Sequence, residues 1–213
     1  MIKATYIDHM GDDLRTVNSA RISFANEKEE LDERDKKLIK YLADNEHYSP
    51  FEHNLATFII ECPLYIRSQI QRHRTFSYNE VSRRYTKEDL VFYIPPVDDI
   101  RKQSKSNKQA SEGTLDNAES MAVQELMKET HDQCLAMYEE FLKWGVSRER
   151  ARGILPQNLM TKFYMTGNLR NWAHFVKLRK HHHAQKEVQV IALQVEEKLG
   201  ELFPESMKAL MEE

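Results

Sequence analysis

Between Arg72 and Arg84 the sequence RHRTFSYNEVSRR places four arginines, a histidine, two serines, an asparagine and one glutamate in thirteen positions, with no glycine or proline. The guanidinium fork stays charged at any accessible pH and matches the paired oxygens of a phosphate or carboxylate. So dense a set of cations is costly to hold in one place without an anion to offset it. The segment therefore points to an anionic ligand, with a solvated basic surface as the plain alternative. Ser77 or Ser82 could act as a nucleophile only beside a general base, which arginines cannot supply. A phosphate-ligand role suits Ser82 better.

The charge distribution narrows the ligand. Residues 65–87 hold six Lys/Arg against Glu80, and residues 147–186 hold nine against Glu149, leaving 16 basic and 32 acidic residues elsewhere. A general polyanion binder is usually basic throughout, whereas two basic segments in an acidic chain suggest a focused site for a small phosphorylated molecule. The six glycines form neither GxGxxG nor GxxxxGK, so phosphate ligands must be side chains. His181, His182 and His183 invite a metal reading. Adjacent residues on a helix point in different directions, however, and no metal site is expected. Cys62 and Cys134 form no CxxC pair, which fits a reducing, cytoplasmic setting without a disulfide framework. No apolar run approaches the roughly 20 residues of a membrane helix, so no membrane partner is expected.

These residues need a scaffold, and the pattern predicts a single α+β domain over 1–213, mostly helical with a modest antiparallel sheet. Residues 2–7 read as a strand. Helices are expected from Asp12 or Asp13 and from about Asp32 to Asn45, the second broken by SPFEH at 49–53. Residues 54–62 read as a buried strand, and Pro63 suits the first turn of a helix carrying Leu64, Arg67, Ile70 and Gln71. The polar stretch 98–114 is expected to be a surface loop. A long helix follows from Leu115 to Trp144, with positions 118, 121, 122, 126, 134, 138, 141 and 142 facing inward and Gly145 ending it. A short helix at 147–153 and a strand at 159–166 come next. Asn168 would then cap a helix through His181, and a last helix would bury Val188, Ile191, Val195, Leu199 and Leu202.

Arg72-His73-Arg74, seven residues, then Ser82 resembles the signature of the flavin-dependent thymidylate synthases, with Gln69 before it and SYNEVSRRY (77–85) completing it. VNSARISF (17–24), HYSPFEH (47–53), RARGILP (150–156) and NLRNWAHFVKLRKHHHAQKEV (168–188) resemble further blocks of that family in the same order. The resemblance covers most of the chain. It implies a homotetrameric α+β methyltransferase that makes dTMP from dUMP, with FAD as redox cofactor, methylenetetrahydrofolate as carbon donor and NADPH as reductant. FAD would meet Arg72, His73, Arg74, Glu80, Ser49, Asn168, Arg170 and His174, with His47 near its ring. The dUMP would meet Gln69, Arg72, Glu80, Ser82, Arg83, Arg84 and Arg152. Arg179 would face the uracil and carry the catalytic role, and sites would be shared between subunits.

The residue chemistry agrees with those roles. FAD and dUMP are both anionic, and an arginine beside uracil stabilises negative charge developing on the pyrimidine. Arg170 and His174 lie four apart on the expected helix and can face one ligand, as can Arg179 and His183 if it continues. The competing class is a nucleic-acid-binding module with Arg72, Arg74, Arg83 and Arg84 on phosphates and Phe76, Tyr78 and Tyr85 as stacking platforms. The acidic remainder and the lack of a nucleic-acid fold signature count against it, so no nucleic-acid partner is expected.

Overall fold

Short polar side chains set where the main helices begin. The computed structural model describes residues 1–84, 90–108 and 110–212; Tyr85 and Lys87 of the basic motif lie outside them. After β1 (Lys3–Met10), Asp12 accepts the Arg15 N–H at 2.7 Å and starts α1 (Asp13–Arg21). Asp32 and Asp35 form a reciprocal capping box at the start of α2 (Glu33–Asp44). SPFEH then makes a single tight turn, Ser49–His53. The strand β2 (Leu55–Pro63) runs through Pro63, so α3 (Leu64–Ile70) begins one residue after the proline. The basic loop leads into β3 (Ser77–Glu80).

Two expectations fail in the middle of the chain. The stretch taken as a loop contains a hairpin of β4 (Arg101–Gln103) and β5 (Ser111–Thr114), paired antiparallel. Buried Ser104 and the Gln103 amide satisfy the turn's backbone groups, which composition alone could not show. The long helix α4 (Asn117–Lys143) starts with an Asp116/Glu119 capping box and ends before Gly145 at φ +85°. Its inward stripe passes through Ser120, His131 and Tyr138, whereas Met121 and Leu126 are 57% and 63% exposed. Counting only apolar residues misplaced the stripe, because polar side chains occupy two of its inward positions.

The remaining elements are α5 (Arg148–Ala151), β6 (Met160–Asn168), α6 (Leu169–Lys180), α7 (Lys186–Leu202) and α8 (Pro204–Met211), the last not anticipated from sequence. The main sheet is antiparallel in the order β1-β2-β6-β3. Burial alternates along β2 and β6, as a two-residue side-chain period requires. The class is α+β, mostly helical.

The residues group into two compact units. The larger comprises 2–60, 71–79 and 163–213, the smaller 61–70 and 80–162 with Met1. In the larger unit, α6 buries Leu169, Trp172, Phe175 and Val176 among the buried side chains of Phe58, Val188, Ile191 and Val195. Each large apolar side chain buried there contributes about 1.5–3 kcal/mol. The helix is thereby fixed, with Arg170, His174 and Arg179 carried on its other faces. In the smaller unit Tyr138, Ala151, Leu155 and Leu159 form a second core, flanked by Leu64, Phe92, Leu135 and Phe141.

Candidate functional site

In the larger unit the loop after α3 is held from both sides. The Tyr78 hydroxyl donates to the His73 carbonyl at 2.8 Å, and the Asn171 amide of α6 donates to the Thr75 carbonyl at 3.1 Å. Phe76 packs edge-on to Trp172 at 4.6 Å between ring centres, and its ring lies directly over Gly167. The His73 ring is buried edge-on against Phe175 at 5.0 Å, with His174 and Phe76 farther out. Arg179 donates its Nε–H to His73 Nε2 at 2.9 Å. Burial, reinforced by the Arg179 charge and by His174, pushes His73 down to about 4, so at neutral pH its ring is an uncharged acceptor. Burial also lowers the Arg179 pKa, although the group remains a cation.

Cavities lined by described residues open on this unit. One, of about 560 Å³, is lined by Ser19, Ser23, His47, Tyr48, Ser49, Glu52 and Arg170. Another, of about 390 Å³, is lined by Tyr48, Thr75, Arg170, Asn171, His174 and Lys177. Arg170 borders both: it pairs with Glu52 at 2.6 Å and lies 4.6 Å over the Tyr48 ring. The sequence argument that Arg170 and His174 share a face therefore holds. Arg72 and Arg74 are exposed beside buried His73. Asn168 caps α6, accepting the Asn171 N–H at 2.9 Å.

The smaller unit gathers the other end of the motif. A cavity of about 710 Å³ is lined by Arg67, Glu80, Ser82, Arg83, Arg84, Glu149, Arg152, Gln157 and Thr161. Among the described residues four arginines face two glutamates there, a positive balance suited to a phosphate. Glu80 is fixed by the Thr161 hydroxyl at 2.6 Å and by Arg67 at 3.5 Å. Arg83 donates to the Met160 carbonyl at 3.3 Å, and Ser82 Oγ accepts the Arg84 N–H at 3.4 Å. Gln69, in the last turn of α3, is not among the lining residues. Behind Glu80 and Arg67, burial drives the Cys62 thiol up to about 12, so it is no nucleophile.

Sequence reasoning missed Arg67, Thr161, Tyr48, Glu52 and Lys177 as lining residues. The first two had signals: Arg67 lies on the helix entering the motif, and strand alternation turns Thr161 inward. The three histidines also differ from expectation. α6 stops at Lys180 with extended backbone at His181, so His181–His183 lie on a turn and their ring nitrogens fall within 4.8 Å of one another. The argument from divergent helical directions does not apply to them, and His183 does not share a helical face with Arg179. The excess of Lys and Arg in this segment still disfavours a divalent cation there. Phe76 is buried in its aromatic cluster, and Tyr78 is half-buried, so neither is an open stacking platform.

Residues 5–205 match the family model described as thymidylate synthase complementing protein. A flavin-dependent thymidylate synthase of Thermus thermophilus is 40% identical over 206 residues, covering 97% of this chain and 74% of that protein. One of Thermosipho africanus is 37% identical over 205 residues, covering 96% and 89%. The solved UMP/dUMP methylase PolB from Streptomyces cacaoi, bound with 5-Br dUMP, superposes with a TM-score of 0.89 at 32% identity, covering 98% of this chain and 94% of that one.

Proposed function

This chain belongs to the thymidylate synthase complementing protein family, the flavin-dependent thymidylate synthases, and on that premise we propose that it methylates dUMP to dTMP. FAD would be the redox cofactor, methylenetetrahydrofolate the carbon donor and NADPH the reductant. The observation that carries the reading is the basin around Ser82, where four arginines converge among the described residues without a glycine-rich loop. Ser82, Arg83, Arg84 and Arg152 would hold the nucleotide phosphate there, with Glu80 kept in place by Thr161 and Arg67.

The donor set of the larger unit fits a flavin dinucleotide. Exposed Arg72 and Arg74 and the Arg170 guanidinium offer charged donors to a diphosphate, and His47 and Ser49 add polar contacts along the 560 Å³ cavity. When bound, FAD would supply the reducing equivalents, so no cysteine nucleophile is required. Arg179 would place its charge beside the uracil and stabilise the negative charge that develops on the ring. The aromatic packing of Phe76, Trp172 and Phe175 keeps water from the back of His73. Exposed Met121, Leu126 and Met137 on α4 support self-association, and the assembly would be a homotetramer with sites shared between subunits.

The purified protein should be yellow and should convert dUMP when given methylenetetrahydrofolate and NADPH. Because the solved neighbour is a UMP/dUMP methylase, UMP belongs in the same assay. Arg179→Ala should cut turnover far more than flavin content, and equal loss of both would show its role wrongly assigned. Light scattering should return four times the 25.2 kDa chain mass. A colourless protein that neither takes up FAD nor converts dUMP would refute the assignment.

A further inference from the structure

An arginine in the last turn of a helix swings through many rotamers unless something outside the helix holds its fork. Here one holder is His73, 106 positions away, which accepts the Nε–H. The residue is 8% exposed, its ring stands edge-on against Phe175, and its backbone carbonyl is tied to Tyr78. The acceptor nitrogen therefore sits on a rigid wall. We propose that His73 is a positioning residue for the methylation assigned above: it accepts the Nε–H of Arg179 and thereby fixes the plane that the guanidinium presents to the pyrimidine. The role rests on that functional reading and adds to it a division of labour within the RHR motif. The two arginines on either side are exposed and free to meet ligand in that reading, and the histidine between them turns inward to orient Arg179.

The arrangement requires an uncharged ring. A protonated His73 would lose its acceptor lone pair at Nε2 and set a cation against a cation. The charged or titratable groups that bear on the ring, Arg179 and His174, both come from α6, and both favour the neutral form, as does burial. Acceptance at Nε2 also assigns the remaining proton to Nδ1.

The test compares His73→Gln, whose amide oxygen reaches the Nε2 position, with His73→Phe, which keeps the ring and loses the acceptor. Loss of a hydrogen bond to a charged group predicts a fall in kcat of roughly 10- to 100-fold for His73→Phe, with His73→Gln recovering most of it. In an Arg179→Ala background, His73→Phe should cost less than about 3-fold further, since the two residues act as one unit. The pairing is also read without turnover, as a slowly exchanging Arg179 Nε–H resonance present in wild type and His73→Gln and absent in His73→Phe. Equal losses from His73→Phe in both backgrounds would overturn the proposal, as would a fall in activity that only tracks lost flavin. A wild type that neither binds nor converts dUMP would overturn the functional reading and this role with it. A fully active wild type matched by His73→Phe would overturn this role alone.

Discussion

Replacing Gly167 by alanine should disturb the loop that carries Arg72, His73 and Arg74 from behind, without altering any charged group. A Cβ at that position would lie 2.4 and 2.5 Å from Cδ1 and Cε1 of Phe76 and 3.3 Å from its Cγ, where ordinary contacts begin near 3.4 Å. The phenyl ring must retreat by about 1 Å within a crowded aromatic cluster. Trp172 stands against it at 4.6 Å between centres, fully buried and anchored by its indole N–H to the Ala56 carbonyl at 3.0 Å. Phe175 and His73 close the other directions. Such overpacking costs about 1–3 kcal/mol, which for a chain of this length lowers Tm by about 2–12 °C. Because the displaced ring neighbours His73, flavin retained through purification should fall as well. Thermal unfolding and the flavin-to-protein absorbance ratio measure the two effects. Pairing the change with Phe76→Leu should give a double variant more stable than the sum of the single losses. Unchanged Tm and flavin content in Gly167→Ala would refute the packing argument, and strict additivity would refute its attribution to Phe76.

Other expectations follow from the same geometry. Thr161→Val removes the 2.6 Å hydrogen bond to Glu80 while keeping the shape, and should raise KM for dUMP about 10-fold with little change in flavin content; unchanged KM would detach Glu80 from the nucleotide. Ser82→Ala should weaken dUMP binding yet leave turnover at saturating nucleotide, whereas abolished turnover would revive a nucleophilic role. His73, at about 4 when folded against 6.5 in its ordinary state, binds fewer protons in the folded chain across that window. Its contribution to stability is therefore full above pH 6.5 and is lost as pH falls towards 4. Urea midpoints at pH 7 and pH 4.5 should differ less in His73→Phe than in wild type.

Much of the scaffold was legible because it depends on local physics. Asp12, Asp32 and Asn168 announced helix starts because a short polar side chain satisfies N–H groups within its own turn. The strand read at 54–62 showed itself through β-branched and aromatic residues; the structure shifts it by one residue to Leu55–Pro63, and burial alternates as the pleat requires. Misreadings arose where a partner distant in sequence decided the outcome. Ser104 and Gln103 turned a polar loop into a hairpin, and Ser120 and His131 took inward positions on α4 that an apolar count assigned elsewhere.

By itself the sequence marked Arg72–Arg84 as the candidate segment for a small anionic ligand and showed which family's motif it carries. All of that lives in residue type and spacing. Only the tertiary structure decided how the motif divides its work, because hydrogen bonds and packing join residues that spacing cannot relate. Arg72 and Arg74 are exposed, and His73 turns inward to Arg179. Ser82, Arg83 and Arg84 meet Arg67 and Arg152 around a separate basin, with Glu80 braced by a threonine 81 residues away. Charge and donor geometry select the residues of a site, whereas burial determines which of them face a ligand and which hold the others in place.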